Sequence, residues 1–220
     1  MEKHIIIVAG GSGSRMQSAI PKQFLLLKEK PILMHTIAAF NNYDNACKIT
    51  LVLPEKDFEY WNALCSKYSF SIEHYLVKGG KSRFHSVLNG LNSLDNSGII
   101  AIHDGVRPLV SVQTIADCIA AASLKGNAIP VVVVNDSVRK IDFKTNHAVE
   151  RKNYRLVQTP QCFKAEIIKK AYQQDFSEEF TDDASVLEAL GTKINLVQGN
   201  PENIKITTEV DLKIAEALMP

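Results

Sequence analysis

At 220 residues, with 45% hydrophobic and 22% charged side chains, the chain is long enough to bury a substantial core as one large domain. A formal net charge of +1 supplies no basic field for nucleic acid and no polybasic patch for a membrane surface, so neither is expected as a partner. The apolar start, Ile5 to Val8, falls far short of the ~20 apolar residues of a membrane span and lacks the pattern of a signal peptide, which implies a cytoplasmic protein.

Ile5 to Val8 read as a short, fully buried strand that runs directly into Gly10, Gly11 and Gly13. A strand, a glycine loop and then a helix, here expected to begin near Ser14, let backbone N–H groups and a helix dipole meet an anion. The loop is not a dinucleotide fingerprint, because Met16 stands where the third glycine of G-x-G-x-x-G would fall. Nor is it a P-loop, because no Gly-Lys-Ser/Thr follows Gly13. Arg15 and then Lys22, in "PKQF", follow the glycines instead. They suit the joint neutralisation of several phosphates, or else are solvated cations beside an ordinary turn.

Ile32 to Phe40 has helical spacing, and Lys48 to Glu55 is a second buried strand ending at a proline. Next come a helix in "KDFEYWNALCSKY", a strand in "IEHYLV", a helix in "RFHSVLNGLNSL", a strand in "GIIAIHDG", a helix in "VQTIADCIAAASLKG" and a strand in "AIPVVVV". This alternation predicts an α/β fold, a mostly parallel twisted sheet with helices on both faces, in a single domain over 1–220. Ligands of such sheets sit outside the carboxyl ends of the strands, which selects Gly10 to Arg15, Lys78 to Ser86 and His103 to Pro108 as loops on one rim.

The pattern breaks over about 136–157, where apolar and polar residues alternate, Lys and Arg are frequent, and Thr145-Asn146 offers a turn signal. A projecting hairpin is expected there. A two-stranded ribbon alone is marginal, so a second subunit is the economical packing surface. Helical alternation resumes at Lys164, followed by a strand in "INLVQG" and a last helix opened by Thr208 and Asp211 as a capping box.

Several residues on the expected rim carry chemistry. Asp104, at the end of an apolar strand, reads either as a Mg²⁺ partner, since Mg²⁺ is held by one or two carboxylates plus substrate phosphates, or as an ordinary turn residue before Gly105. Arg107 reads equally as an anion binder or as the partner of a neighbouring acid. "GGKSRFHSV" is a second glycine turn opening a helix, with Ser82 and Ser86 able to hydrogen-bond a base edge or backbone. Lys205, in the apolar "NIKIT", is costly unless an anion accompanies it. Asp182 and Asp183 read as first-turn acids favoured by a helix dipole, and Thr181 is placed to meet a substrate hydroxyl. Cys47, Cys65, Cys118 and Cys162 are scattered, form no C-x-x-C and read as reduced, mostly core residues. No two of the six histidines fall at metal-ligand spacing, so all are read as packing or surface residues.

Six motifs in order, "AGGSGSRM…PKQF", "GG…R..SV", "HDGVRP", "TPQ.F", "TDDAS" and "NIKIT", resemble the 2-C-methyl-D-erythritol 4-phosphate cytidylyltransferase family over nearly the whole chain. The resemblance implies a Rossmann-like nucleotidyltransferase fold and a homodimer clasped by the β-arm. It also implies the transfer of the cytidylyl group of CTP onto a methylerythritol phosphate, with Mg²⁺ and release of pyrophosphate, in non-mevalonate isoprenoid synthesis. By motif, Arg15 and Lys22 would stabilise the transition state at the α-phosphate, and Lys205 would help position the nucleophile. Ala9, Gly10, Gly11 and Gly13 would line the nucleotide loop, while Gly80, Lys81 and Ser86 would lie by the cytosine. Asp104 would serve Mg²⁺ and the sugar phosphate. Arg151 would reach the sugar phosphate in the other subunit's site, and Arg107, Ser137, Thr159 and Thr181 would line the substrate. Ser137 falls where the family usually has threonine, Lys81 falls where it often has an acid, and the arm is somewhat short. The nearest alternative is an alditol phosphate enzyme, such as one using ribitol 5-phosphate. A phosphate oxygen as nucleophile is already ionised near neutral pH, its second pKa being about 6, so no general base is expected.

Overall fold

The computed structural model describes residues 1–10 and 20–219. Gly11, Gly13, Arg15 and the helix expected near Ser14 lie outside the described residues. Four strands, β1 (Lys3–Val8), β4 (Lys48–Leu53), β5 (Tyr75–Lys78) and β6 (Ile99–Asp104), run parallel in the order β6-β1-β4-β5. Two small strands, β2 (Leu26–Leu27) and β3 (Lys30–Pro31), form a separate ribbon beside them. The alternating side chains of the central strands bury on opposite faces: Ile5 and Ile7 join one core, Ile6 the other, and Ile99 and Ala101 divide from Ile100 and Ile102 in the same way. The first face is covered by α1 (Ile32–Tyr43), α2 (Phe58–Lys67) and α4 (Val112–Lys125). The second is covered by α3 (Arg83–Asn92), α5 (Ala165–Ala171) and α6 (Asp183–Glu188).

The sheet is mixed beyond β6. The strand β11 (Gln161–Lys164) inserts antiparallel between β6 and β7 (Asn127–Val133), and β10 (Arg155–Val157) runs antiparallel on the other side of β7, which β12 (Leu196–Gln198) joins in parallel. Neither β10 nor β11 is expected from the sequence. With three and four residues they are too short to display a period, and β11 runs straight into the helix expected from Lys164. A third, smaller core of Leu27, Ile32, Val106, Ile206 and Ala215 seats α7 (Glu209–Leu218) near the rim. Its capping box pairs Thr208 with Asp211 as expected.

The arm is present as β8 (Val138–Asp142) and β9 (Thr145–Val149), an antiparallel ribbon of its own. Its reversal differs from the expectation. Asp142 pairs with Thr145, so the turn falls on Phe143 and Lys144, with Phe143 at φ +35°, and Asn146 lies within β9 opposite Ile141. In a ribbon exposed on both sides a polar pair is no penalty in the strand, and the Asn146 side chain accepts a hydrogen bond from Arg139 across it. The ring of Phe143 at the tip is fully exposed, at 108% relative accessibility, and Ile141 stands exposed beside it. Among the described residues no helix is long and apolar enough to cross a membrane.

Candidate active site

The parallel strands end together on one rim. Register pairs Val8 with Asp104 across β1 and β6, and Leu53 with Lys78 across β4 and β5, so the glycine loop, the second glycine turn and the "HDGVRP" loop leave the sheet side by side. Two clefts open there. One is lined by Ala9 and Gly10 after β1, by Lys22, and by Gly80, Lys81 and Ser86 before and within α3. The other is lined by Arg107, Thr159, Thr181 and Asp182, with Gln158 and Gln161. Arg83, Asp104 and Lys205 line both, and form the seam between them.

Local chemistry explains each wall. Ser82 caps α3 by accepting from the His85 N–H, and Ser86 Oγ accepts from the Gly80 N–H at 3.0 Å while donating to Ser82 O at 2.9 Å. A Cβ at Gly80 would stand 2.4 Å from the His85 Cβ, so no larger residue fits this turn without moving the helix start. On the opposite wall His103 is fully buried, and burial lowers its imidazole to about 4, which keeps it neutral. Its Nε2–H then donates to Arg107 O at 3.1 Å, and its Nδ1 accepts the Thr159 hydroxyl at 3.0 Å. The same hydroxyl oxygen accepts the Asp104 N–H at 3.1 Å, which pins the end of β6 to the loop before β11.

Asp104 is the electrostatic centre of the seam. Its Oδ2 accepts Arg107 Nε at 3.0 Å and lies 3.1 Å from Lys205 Nζ, while Arg83 Nε stands 3.9 Å from Oδ1. Burial alone would raise this carboxyl, yet Arg83, Lys205 and Arg107 outweigh it and hold the group well below the usual carboxylate range. Arg107 therefore has the neighbouring acid that the sequence allowed, and its Nη1 also donates to Asn203 O at 2.8 Å. Ile206, buried in the third core with its N–H bonded to Val106 O at 3.0 Å, anchors the segment from which Lys205 reaches Asp104. Lys22, Lys81, Arg83 and Lys205 face the glycine-side cleft against the carboxylate of Asp104, an excess of positive charge suited to phosphates.

Two expected residues lie elsewhere. Arg151 and Ser137 are exposed on the arm and line neither cleft of their own chain, the Arg151 guanidinium donating instead to Asn135 O. Conversely, sequence reasoning assigned nothing to Arg83, whose guanidinium grips the buried Asp183 with two bonds of 2.8 and 2.7 Å. Asp182 is the N-cap of α6, with a capping box to Ser185, and Asp183 is its first residue, which agrees with acids at a helix start, Asp183 being fully buried besides. Burial raises the thiols of Cys47 and Cys65 to about 11, so neither is an ionised nucleophile at neutral pH.

A family model for 2-C-methyl-D-erythritol 4-phosphate cytidylyltransferase matches residues 3–220. The chain belongs to that family. A cytidylyltransferase of this name from Phocaeicola vulgatus is 51% identical over all of both chains. One from Halalkalibacterium halodurans is 37% identical over 100% of this chain and 97% of its own. Among solved structures, the cytidylyltransferase from Thermus thermophilus shares 30% identity at a TM-score of 0.80, covering 99% of this chain and 98% of its own. The 4-diphosphocytidyl-2C-methyl-D-erythritol synthase from Anaerococcus prevotii shares 28% at 0.83, covering 98% and 95%. The fold is thus the α/β architecture anticipated from the strand and helix alternation, and the nucleotidyltransferase fold that the motif resemblance implied.

Proposed function

We propose that the two clefts divide the two substrates, CTP on the glycine side and the methylerythritol phosphate on the side of Arg107 and Thr181, with the bond made at the seam. As a family member the chain is a CTP-dependent cytidylyltransferase. It joins CTP to 2-C-methyl-D-erythritol 4-phosphate, giving 4-diphosphocytidyl-2-C-methyl-D-erythritol and pyrophosphate, in non-mevalonate isoprenoid synthesis. The family description and the named relatives support this acceptor over ribitol 5-phosphate. The observation that carries the division is the shared lining: Arg83, Asp104 and Lys205 belong to both clefts, so ligands in the two meet there.

The residue roles follow from charge and position. A phosphate oxygen of the acceptor is ionised at neutral pH, so the protein's work is to bring two anions together and to offset the charge that develops as pyrophosphate leaves. Lys22, at the glycine-side cleft, and Arg15, in the preceding loop, are assigned to the α-phosphate. Lys205, beside Asp104, is assigned to holding the attacking phosphate. Ala9 and Gly10, with Gly11 and Gly13, are assigned to the triphosphate, and Gly80, Lys81 and Ser86 to the nucleoside. Arg107, Thr159 and Thr181 are assigned to the acceptor's wall, although the Thr159 hydroxyl is already engaged by Asp104 and His103.

The donor set at Asp104 fits Mg²⁺ that arrives with the nucleotide. Among the described residues, Oδ2 is taken by Arg107 and Lys205 while Oδ1 faces Arg83 at 3.9 Å, and a single carboxylate oxygen plus phosphates is a usual Mg²⁺ environment. When bound, the ion neutralises phosphate charge in the transfer. The arm supports a homodimer over a single domain: Arg151 and Ser137 stand away from their own clefts, and Ile141 and Phe143 are exposed at the tip. We assign both side chains to the partner's acceptor cleft. Free thiols at all four cysteines fit a reducing, cytoplasmic compartment.

Pyrophosphate release is the test, with CTP and Mg²⁺ and, in parallel, methylerythritol phosphate or ribitol 5-phosphate. Release with methylerythritol phosphate alone is expected. Release only with ribitol 5-phosphate would overturn the acceptor, and silence with both would overturn the function.

A further inference from the structure

The helix α3 opens on a residue that the helix itself disfavours. Arg83 is its first residue, where the positive end of the dipole opposes a cation. It is held there by Asp183, a hundred residues later in the chain, which is 0% exposed and accepts both terminal guanidinium nitrogens. Asp183 is itself fixed from behind, because Tyr172 OH donates to its Oδ1 at 2.5 Å. The start of α6 is fixed as well: Gln161 of β11 donates to Asp182 Oδ2 at 2.7 Å and accepts the Ala184 N–H at 2.9 Å. The carboxylate thus sits in a frame made by α5, α6 and β11. A buried ion pair adds little net stability relative to apolar packing, so stability alone does not account for it.

The free edge of the guanidinium does account for it. With Nη1 and Nη2 committed to Asp183, the Nε edge of Arg83 faces Asp104 Oδ1 at 3.9 Å, and the group, 30% exposed, lines both clefts. At that distance there is no direct hydrogen bond, but the Coulomb attraction in a half-buried site is substantial. Arg107 and Lys205 take the other oxygen of Asp104. The carboxylate is therefore held from opposite edges, and its rotation sets where the Lys205 ammonium stands.

We propose that Arg83 is a positioning residue of the transfer reaction: anchored by Asp183 and Tyr172, it fixes the Asp104 carboxylate and, through it, Lys205 at the junction of the two clefts. The inference rests on the reading that Asp104 and Lys205 act on the substrates. Asp183 has a second task in it. By neutralising Arg83 from behind, it lets a third cation stand near Asp104 without driving Lys205 away. An arginine is required because its planar fork binds one carboxylate end-on while a further N–H edge stays free, which a lysine cannot do.

The test uses the full-length enzyme with both substrates, comparing wild type, Arg83→Lys, Asp183→Asn and Tyr172→Phe, with kcat expressed per folded molecule and Tm recorded for each. Misplacement of a catalytic group by an ångström can cost ~10²-fold, so Arg83→Lys and Asp183→Asn are expected to lower kcat by about 10- to 100-fold with KM for CTP within about 2-fold. Tyr172→Phe keeps the Arg83–Asp183 bonds and is expected to fold and to lose kcat by about threefold. A Lys205→Met background is expected to absorb most of the Arg83→Lys loss, because residues acting as a unit are non-additive. If all three variants lose only Tm and keep the wild-type kcat, or if the Arg83 and Lys205 losses multiply, the inference is overturned. Lys205→Met alone separates the two readings. An unchanged kcat there sinks the site assignment itself, whereas a large loss with an unaffected Arg83→Lys sinks the positioning role only.

Discussion

The seam and the arm are built on opposite principles. At the seam the described charges are linked within the chain: Arg107 and Lys205 share Asp104, Arg83 holds Asp183, and a neutral His103 completes the backbone network. On the arm the bonds are few and local, the residues of β8 and β9 are nearly all exposed, and Phe143 presents its whole ring. The seam's contacts join residues far apart in the chain, whereas the arm's bonds stay within the arm and its Arg151 and Ser137 line neither cleft of their own chain. The difference teaches that catalytic precision and substrate completeness need not come from the same place. Charge positioning at the seam is settled within the chain, and in the proposed homodimer part of the acceptor site would be left to association.

Chelation should sharpen this contrast most. With EDTA, pyrophosphate release is expected to fall by at least ~10³-fold, since a metal supplies several kcal/mol of charge stabilisation. The Tm should stay put, because the chain's own cations already compensate Asp104 in the folded state. A Tm that drops with the activity would mean that the metal belongs to the fold. Next in size, Lys22→Ala is expected to lower kcat by ~10² or more, the scale of losing one preorganised donor at a developing charge. Unchanged turnover in that variant would remove Lys22 from the chemistry.

Arg151→Ala tests the other half of the comparison. A loss of about 10-fold or more in kcat/KM for the acceptor is expected, on the scale of one charge-assisted bond. Co-expression of Arg151→Ala and Lys22→Ala subunits should restore about a quarter of the wild-type activity, because half of randomly formed dimers then contain one intact site of two. No recovery above the sum of the parents would place Arg151 in its own subunit's chemistry. The smallest effect is expected from Phe143→Ser. An exposed residue changes monomer stability by less than ~0.5 kcal/mol, yet losing its contact should weaken dimerisation about tenfold in sedimentation, for ~1.4 kcal/mol of apolar burial. A tip that tolerates the change at unaltered dimer affinity would show that the ring packs on nothing.

Much of this architecture could be read from one sequence, for identifiable reasons. Buried strands such as "IIIV" and "GIIAIHDG" are continuous apolar runs flanked by glycine, and the rim follows from where parallel strands end. Asp104 stood out at the end of an apolar strand, Lys22 as a cation just past the glycine loop, and Lys205 as a lysine in an apolar segment, costly without an anion. The insertion of β11 escaped notice because four residues carry no period, and the arm's reversal was misplaced because an exposed ribbon imposes no pattern on its polar residues. Arg83 was missed although its signal was present: a cation in the first turn of a helix needs an anion, and the anion lay a hundred residues away in "TDDAS". Long-range pairing of that kind is not written in local pattern.

The insertion of β11 between β6 and β7 also orders events in time. During synthesis, β6 is complete long before its neighbour exists, since the residue that pins Asp104, Thr159, follows 55 positions later and only after the arm. Until then the central strand leaves one edge unpaired, the condition in which nascent sheets invite wrong partners and in which long-range pairing sets the pace. The hairpin therefore emerges from the ribosome before the sheet it springs from is closed. In the proposed homodimer, a second copy meeting the hairpin at that stage would find an acceptor cleft still without the wall that Gln158, Thr159 and Gln161 supply.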